Sequence, residues 1–151
     1  MNKIVLVEPE IPQNTGTIAR LCAATNSELI LVGDLGFSLE DKYLKRAGLD
    51  YWDYVNWKHI PNTASFFKEL NLEIHDPWLL STKGKKIYSD IKFKDNSMLI
   101  FGSETKGLSQ LIRDTYSERL ITIPMSNTNI RSLNLANSVS IVLYESIRQN
   151  C

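Results

Sequence analysis

Short runs of consecutive apolar residues recur along the chain and end at glycine, proline or charged residues. The clearest lie at residues 4–7 (IVLV), 29–32 (LILV), 97–101 (SMLIF) and 120–123 (LITI). Apolar runs of this length that are rich in β-branched side chains are typical of strands buried on both faces. They therefore predict the central strands of a parallel sheet.

Segments with the apolar spacing of an amphipathic helix alternate with these runs. One begins after Asn14, a candidate N-cap, and the longest is predicted at residues 133–147, where apolar side chains recur every three or four positions. Shorter helices are predicted at residues 39–47, 63–70 and 108–114, and weaker strands at residues 51–57 and 74–80.

This alternation predicts an α/β fold with a parallel sheet of five or six strands flanked by helices. Residues 1–151 are expected to form one domain, because the sequence contains no internal repeat, low-complexity tract or linker. Ligands of such sheets bind beyond the carboxyl ends of the strands. That rule points to the loops after Val7, Phe101 and Ile123.

Composition and charge exclude several classes of protein. Seventeen Lys and Arg residues balance seventeen Asp and Glu residues, so a generally basic nucleic-acid coat is excluded, and RNA binding would need a local patch or one doubled by dimerisation. Two cysteines, Cys22 and Cys151, make no disulfide framework, which indicates a cytoplasmic protein. No signal peptide or membrane span is expected, because the apolar runs are too short.

The first of the three loops, residues 9–20 (PEIPQNTGTIAR), combines stiff prolines with a glycine and an arginine. Gly16 falls in the first helical turn, where a glycine costs about 1 kcal/mol relative to alanine and often marks close approach to the backbone. Arg20 follows one turn later. A helix start with an arginine suits phosphate binding, and a capped helix with a solvent-facing arginine explains the pattern about equally well.

The other two loops are also unusual in composition. In residues 100–108 (IFGSETKGL) a buried strand runs into Gly102, which favours a ligand site over a plain connection, although the pattern is neither a P-loop nor a dinucleotide fingerprint. Residues 123–138 (IPMSNTNIRSLNLANS) crowd Ser and Asn at the start of the last helix. Asn134, Asn137 and Ser138 are expected to lie past any cap, so they would need partners from the backbone or a ligand.

Taken together, the three loops resemble the three motifs of the SPOUT class of RNA 2′-O-ribose methyltransferases. The resemblance is strongest to the subgroup that methylates the wobble nucleotide, cytidine or uridine, of tRNA anticodons, and residues 46–51 (RAGLDY) also look like that subgroup. It covers essentially the whole chain in order. It implies a single-domain SPOUT α/β fold with a C-terminal trefoil knot, and a homodimer whose active site lies at or near the interface. Leu135, Val139 and Val142 would serve either that interface or the core.

The resemblance further implies S-adenosylmethionine as the methyl donor, with no metal. His59 and His75 are isolated in the sequence and lack partners at metal-ligand spacing. By resemblance, the cofactor-binding residues are Leu80, Gly102, Ile123, Met125, Ser132 and Leu133.

The resemblance implies that the acceptor is a ribose 2′-hydroxyl in the anticodon stem-loop of tRNA. It assigns catalysis to Arg20, Ser132 and Asn134, with Arg20 the candidate for assisting proton loss. Since a guanidinium stays charged in proteins, binding the adjacent phosphate and stabilising a developing alkoxide suit it better. The RNA-binding candidates are Asn14, Arg20, Lys106, Arg131 and Tyr144, with Lys83, Lys85 and Lys86 as a nearby supplement or a solvated turn.

Other functions stay open at this point. The same chemistry could act on another tRNA or rRNA site, because the chain departs from the subgroup in two ways. Its net charge is zero, and Ala136 and Ser138 look exchanged relative to the subgroup's usual Ser-Asn-Ala run around Asn137. A non-catalytic module that binds RNA or a nucleotide is a second alternative. An NAD-dependent enzyme is less favoured, because no glycine fingerprint follows the first strand.

Overall fold

The computed structural model describes residues 1–48 and 51–151, and its centre is a sheet in which every strand pairing is parallel. The spatial order of the seven strands is β3-β2-β1-β6-β4-β7-β5. The predicted parallel α/β architecture is confirmed, with more strands than the five or six expected. The strands are β1 (Lys3–Val7), β2 (Glu28–Val32), β3 (Asn56–Ile60), β4 (Pro77–Leu80), β5 (Lys86–Ile87), β6 (Met98–Phe101) and β7 (Leu120–Thr122).

Helices cover both faces of the sheet. Alternate residues of β1 point to opposite sides, as strand geometry requires, so Ile4 packs in a cluster with Ile18 and Val139, whereas Val5 packs in a cluster with Phe66. Burial on both faces explains why the central strands read as unbroken apolar runs. The helices are α1 (Pro12–Thr25), α2 (Lys42–Gly48), α3 (Thr63–Lys68), α4 (Leu72–His75), α5 (Gln110–Thr115) and α6 (Leu135–Asn150), with single 3₁₀ turns at Trp52–Tyr54, Tyr88–Asp90 and Ser117–Arg119.

The start of α1 differs from the prediction. Asn14 is not its N-cap, because the helix begins at Pro12 after Ile11. Proline suits the first helical position, where its missing N–H has no intrahelical acceptor to lose and its fixed φ is already helical. Asn14 therefore lies inside the first turn, and its side chain is available for contacts with other loops.

Three weaker predictions are corrected by local turns. The region predicted as a strand at residues 51–57 is a 3₁₀ turn, Trp52–Tyr54, followed by β3. The region at residues 74–80 is divided between α4 and β4, and Asp76 between them has φ +42°. The helix expected at residues 39–47 begins only at Lys42. Residues 49–50 of the RAGLDY segment lie outside the described residues.

The apolar stripe of α6 belongs to the core of the chain. Val139 and Val142 are fully buried and Leu135 is 9% exposed, all within one cluster against the sheet. These side chains are thus not available to a subunit interface. No helix in the described ranges is long and apolar enough to cross a membrane.

Candidate active site

The loops after β1, β6 and β7 meet at the carboxyl edge of the sheet around one cavity of about 690 Å³, which we call the site cavity. They meet because β1, β6, β4 and β7 are neighbours and run in the same direction. The segment after β4, residues 81–83, completes the wall. The three loops singled out by their composition therefore form a single surface.

Glu104, in the loop after β6, fastens that loop to the start of α1. Its carboxylate accepts hydrogen bonds from the main-chain N–H of Glu10 at 2.9 Å and of Ile11 at 2.6 Å. It also accepts one from Asn14 Nδ2 at 3.2 Å. A carboxylate that receives the free N–H groups ahead of a helix satisfies donors that would otherwise lack partners. Glu104 thus ties the second loop to the two residues that precede α1.

Glu10 makes the reciprocal contact from the first loop to the second. Its Oε1 accepts hydrogen bonds from Thr105 Oγ1 at 2.6 Å and from the Thr105 main-chain N–H at 3.1 Å. These bonds hold the pKa of the Glu10 carboxyl below its ordinary value. The first two loops are therefore joined by carboxylates in both directions.

The third loop is tied to the other two by Asn134 and Arg131. Asn134 Nδ2 donates to Asn14 Oδ1 at 3.1 Å, and Arg131 Nη2 donates to the Thr105 main-chain oxygen at 2.8 Å. Asn134 Oδ1 also accepts from the Asn137 N–H at 3.1 Å, so Asn134 is the N-cap of α6. The expectation that it lies past the cap was wrong, since the helix starts at Leu135.

Each of the six residues assigned to cofactor binding lines the site cavity. Gly102 shows why a side chain is not tolerated there, because an added Cβ would lie 2.2 Å from the Gly107 carbonyl carbon and 2.3 Å from the Leu108 nitrogen. The apolar side chains and the loop backbone together give the mixed lining that is usual for small-molecule sites. The six are Leu80, Gly102, Ile123, Met125, Ser132 and Leu133.

Cationic side chains also line this cavity. Lys106 and Arg131, both candidates for RNA binding, are exposed there, and Lys83 and Arg113 join them. Arg113 Nη1 donates to the Leu108 main-chain oxygen at 2.7 Å and so helps to hold the loop after β6 in place. The cavity rim is therefore basic although the whole chain has zero net charge.

Arg20 and Tyr144 do not line the cavity, unlike the other predicted site residues. Arg20 is exposed on α1, and its guanidinium carbon lies 4.7 Å from the centre of the Tyr51 ring. Tyr144 is 53% exposed on α6. The structure therefore separates the chief catalytic candidate from the residues assigned to the cofactor within one chain.

Both histidines make local structural contacts. His59 Nε2 lies 2.8 Å from the Gly33 main-chain oxygen, and His75 Nδ1 accepts the Asn71 N–H at 3.0 Å. Among residues 1–48 and 51–151, no group of three or more His, Cys, Asp or Glu side chains is arranged to hold a metal ion.

Sequence reasoning missed the residues that hold the loops together. Glu10, Glu104 and Thr105 stood within the motifs but were given no role, and Arg113 was not considered. The available signal was an acidic residue three positions after each of two buried strands, Glu10 after β1 and Glu104 after β6. A pairing between loops more than 90 residues apart could not be inferred from one sequence.

Comparison with known proteins places the chain in a family. A sequence model of the SpoU rRNA methylase family matches residues 1–144. A protein of Methylovorus glucosotrophus (strain SIP3-4), named tRNA (cytidine(34)-2'-O)-methyltransferase, is 44% identical over 164 residues, with 99% of this chain and 96% of that protein covered. The chain belongs to the SpoU methylase family.

Solved structures agree with this assignment. One that describes the 2-OH methylation of C/U34 on tRNA superposes with a TM-score of 0.90 at 37% identity, covering 99% of this chain and 96% of that one. The SpoU methyltransferase AviRb of Streptomyces viridochromogenes, solved with AdoMet, superposes with a TM-score of 0.84 at 25% identity, covering 98% of this chain and 60% of that one. The fold is that of the SPOUT methyltransferases.

Proposed function

We propose that this chain is an S-adenosylmethionine-dependent tRNA methyltransferase that 2′-O-methylates the ribose of the wobble nucleotide, cytidine or uridine 34. The observation that carries the proposal is the site cavity, where three separate motif loops meet and are fixed to one another by Glu104 and Asn134. Relatives named for this reaction share 44% of their residues with the chain.

The cavity fits S-adenosylmethionine. Leu80, Ile123 and Leu133 offer apolar surfaces for an adenine ring, and the backbone at Gly102, which lines the same cavity, is proposed to contact its polar edge. When bound, the cofactor supplies an electrophilic methyl group, for which no metal is needed. In this proposal Ser132 and Asn134 orient its methionine end or the substrate ribose.

Arg20 is the proposed catalytic residue for the ribose hydroxyl. A guanidinium stays protonated in proteins, so Arg20 binds the phosphate next to the target ribose and stabilises the negative charge that develops on its 2′-oxygen. The Tyr51 ring supports this role, because stacking holds the guanidinium without using its N–H groups.

The proposed RNA surface is the basic rim. In this proposal Lys106 and Arg131 contact phosphates of the anticodon stem-loop, Asn14 lines the same cavity, and Tyr144 is exposed for stacking on a base. Such a local patch resolves the apparent conflict between a nucleic-acid substrate and zero net charge. A tRNA substrate also favours the cytoplasm as the place of action.

We propose a homodimer that completes the active site. Arg20 lies outside the cavity of its own chain, and Ile11 and Leu133 at the cavity rim are 40% and 38% exposed. A second copy that covers this apolar rim could bring its Arg20 to the cofactor. Mixing Arg20→Ala protein with Ser132→Ala protein tests this. If each site combines Arg20 of one copy with Ser132 of the other, a mixed dimer has one intact site and regains activity that neither variant has alone.

We also propose that residues 1–151 form a single domain with a C-terminal trefoil knot. The family resemblance implies the knot, and β7 lies between β4 and β5, so that the connection between those two strands passes β7. Gly84 in that connection lies so close to Ile121 that an added Cβ would be 2.7 Å from its carbonyl carbon.

Methyl transfer to defined RNA tests the proposed function. Labelled S-adenosylmethionine, the protein and tRNA without methylation at position 34 should give label on the ribose of nucleotide 34, and tRNA already methylated there should give none. Label at another nucleotide would move the assignment to a different RNA site. Cofactor and RNA binding without transfer would identify a non-catalytic module instead.

A further inference from the structure

Thr105 lies where the three motif loops join, and all of its hydrogen-bonding groups are used. Its hydroxyl and its main-chain N–H both donate to one oxygen of Glu10, at 2.6 and 3.1 Å. Its main-chain oxygen accepts the Nη2 donor of Arg131 at 2.8 Å. One residue thus connects an acidic side chain of the first loop with a basic side chain of the third.

We propose that Glu10 is a positioning residue for RNA binding, acting through Thr105 to hold Arg131 ready for a substrate phosphate. This inference rests on the proposed function, because it requires Arg131 to contact RNA. Glu10 does not touch the RNA itself. It fixes the Thr105 main chain, and the Thr105 oxygen in turn fixes the guanidinium.

Glu10 is well placed to act as an anchor. Its own N–H is bound by Glu104 at 2.9 Å, and its Cα packs against Gly36, where an added Cβ would lie only 2.7 Å away. The turn that carries Thr105 is closed by a hydrogen bond from the Gly107 N–H to the Ser103 oxygen at 2.9 Å. Both partners of the Glu10–Thr105 contact are therefore held in place by contacts that do not involve Arg131.

Arg131 benefits from such an anchor because it is long and exposed. The bond to Thr105 occupies one of its five N–H donors and leaves the others for a phosphate. Ordering a side chain of this kind on binding costs affinity, and prior ordering recovers roughly three- to tenfold. The predicted effect of losing Glu10 is a weakening of RNA binding by that factor.

The sign of this effect distinguishes it from simple electrostatics. Removing an acidic residue from a surface near RNA normally strengthens binding, because repulsion of the phosphates is reduced. The proposal predicts the opposite result for Glu10. Glu73 on α4 is exposed and lies near the amino edge of the sheet, so Glu73→Gln is a matched control for the change of charge.

The experiment measures the Kd of full-length tRNA for the unaltered protein and for Glu10→Gln, Glu10→Ala, Arg131→Ala and the double variant Glu10→Ala/Arg131→Ala. Binding is measured at one salt concentration, without turnover. Thr105→Val and Thr105→Ser test the intermediate residue, since only serine keeps the hydroxyl. Both Glu10 variants and Thr105→Val should raise the Kd, Thr105→Ser should not, and the double variant should bind as Arg131→Ala does.

Independent losses at Glu10 and Arg131 that multiply in the double variant would overturn the proposal, as would unchanged or tighter binding by Glu10→Gln. If Glu10→Ala fails to fold, Glu10→Gln and Thr105→Val decide the question. A protein that binds tRNA with this coupling but never methylates nucleotide 34 would refute only the proposed function. No tRNA binding by the unaltered protein would refute both.

Discussion

The two edges of the parallel sheet each carry a cluster of polar side chains. The clusters differ in whether their polar groups are all paired within the chain or surround an accessible cavity. The amino-edge cluster consists of Asp76, Trp78, Ser97 and Arg119. Asp76 is 4% exposed and accepts hydrogen bonds from Ser97 Oγ at 2.5 Å, Arg119 Nη1 at 3.0 Å and Trp78 Nε1 at 3.3 Å. The Arg119 guanidinium also stacks on the Trp78 ring at 4.7 Å.

The carboxyl-edge cluster consists of Glu10, Asn14, Glu104, Thr105, Arg131 and Asn134. Its carboxylates bind main-chain and side-chain donors too, but the loops they join surround a cavity of about 690 Å³ with exposed cations at its rim. At the amino edge, a buried carboxylate meets its cation within the chain. At the carboxyl edge, the hydrogen bonds position loops whose remaining groups face outward. The difference indicates that one cluster stabilises the fold, whereas the other builds a site.

Removing the Asp76 carboxylate should give the largest effect on stability. Asp76→Ala leaves Arg119 and Ser97 without their buried acceptor, and because the Arg119 side chain is 25% exposed the cost should lie at or below the lower end of the roughly 3–5 kcal/mol typical of a fully buried pair. Urea unfolding would measure the loss, with the exposed Asp90→Ala as a control expected to change stability by no more than about 0.5 kcal/mol. Methyl transfer per folded molecule should stay unchanged, and a specific loss of catalysis would contradict the proposed division of roles.

Removing the Arg20 guanidinium should give the largest effect on catalysis. Arg20→Ala is expected to lower kcat by about 10²–10³, the usual cost of one charge-stabilising donor. Circular dichroism and the Kd for S-adenosylmethionine should not change, because Arg20 is exposed and its proposed partners are the phosphate and ribose of the RNA rather than the cofactor. A decrease in kcat of less than tenfold in single-turnover methyl transfer would remove Arg20 from the catalytic role.

A Cβ at Gly102 should reduce cofactor affinity. Gly102→Ala forces the Gly107 and Leu108 backbone to move by a large fraction of an ångström, and we expect at least about tenfold weaker binding of S-adenosylmethionine. Gly107→Ala is the matched comparison, since a Cβ there meets no atom within 4 Å and strains only the φ of +63°. That variant should lose about 1–2 kcal/mol of stability and much less affinity. Equal effects in calorimetric titration would contradict this reading of the loop.

Acid should weaken the fold over a defined range of pH. Burial opposes ionisation of Asp76, but hydrogen bonds from Ser97, Arg119 and Trp78 outweigh it and lower its pKa from 3.8. Hydrogen bonds from Arg148 and Gln149 lower the pKa of Glu145 to about 2. A depressed folded-state pKa means that the stabilisation is complete above the unfolded value and is lost as the pH falls through the folded one.

The free energy of unfolding should therefore decrease from about pH 5 to about pH 2. Asp76→Asn should show a smaller decrease over the same range, because it lacks one of the titrating groups. The free energy of unfolding of the unaltered protein and of Asp76→Asn would be measured by urea unfolding at a series of pH values. Parallel curves for the two proteins would contradict the assignment to Asp76.

The Tyr51 ring should have the smallest effect. Tyr51→Leu removes the stacking contact with Arg20, worth about 0.5–1 kcal/mol at an exposed site, so kcat should fall roughly two- to fivefold. Tyr51→Phe keeps the ring and should retain nearly full activity. If the phenylalanine variant loses as much as the leucine variant, the hydroxyl rather than the ring matters.

The sequence predicted the sheet well because its central strands are buried on both faces. Unbroken apolar runs at β1, β2 and β6 carry that information locally. The amphipathic α6 was predicted for a different reason, because its apolar side chains recur at helical spacing along one face. The short strand β5, Lys86–Ile87, is exposed and has two residues, so no pattern could identify it.

The location of the site could be predicted from the sequence, but the contacts between its loops could not. The glycine, the prolines and the polar helix start marked the three loops, and the family resemblance supplied roles for their residues. The pairing of Glu104 with the start of α1 depends on the strand order, which places β1 beside β6 although 90 residues separate them in the chain. Whether Val139 and Val142 faced the core or a partner was likewise settled only by tertiary packing.

Hydrogen–deuterium exchange with and without S-adenosylmethionine tests the distinction between the two edges most directly. Saturating cofactor should slow exchange in residues 102–108, 123, 125 and 131–134, which line the cavity, and leave residues 76, 78, 97 and 119 at the amino edge unchanged. Protection confined to the amino edge, or none in either cavity loop at saturating cofactor, would contradict the placement of the active site.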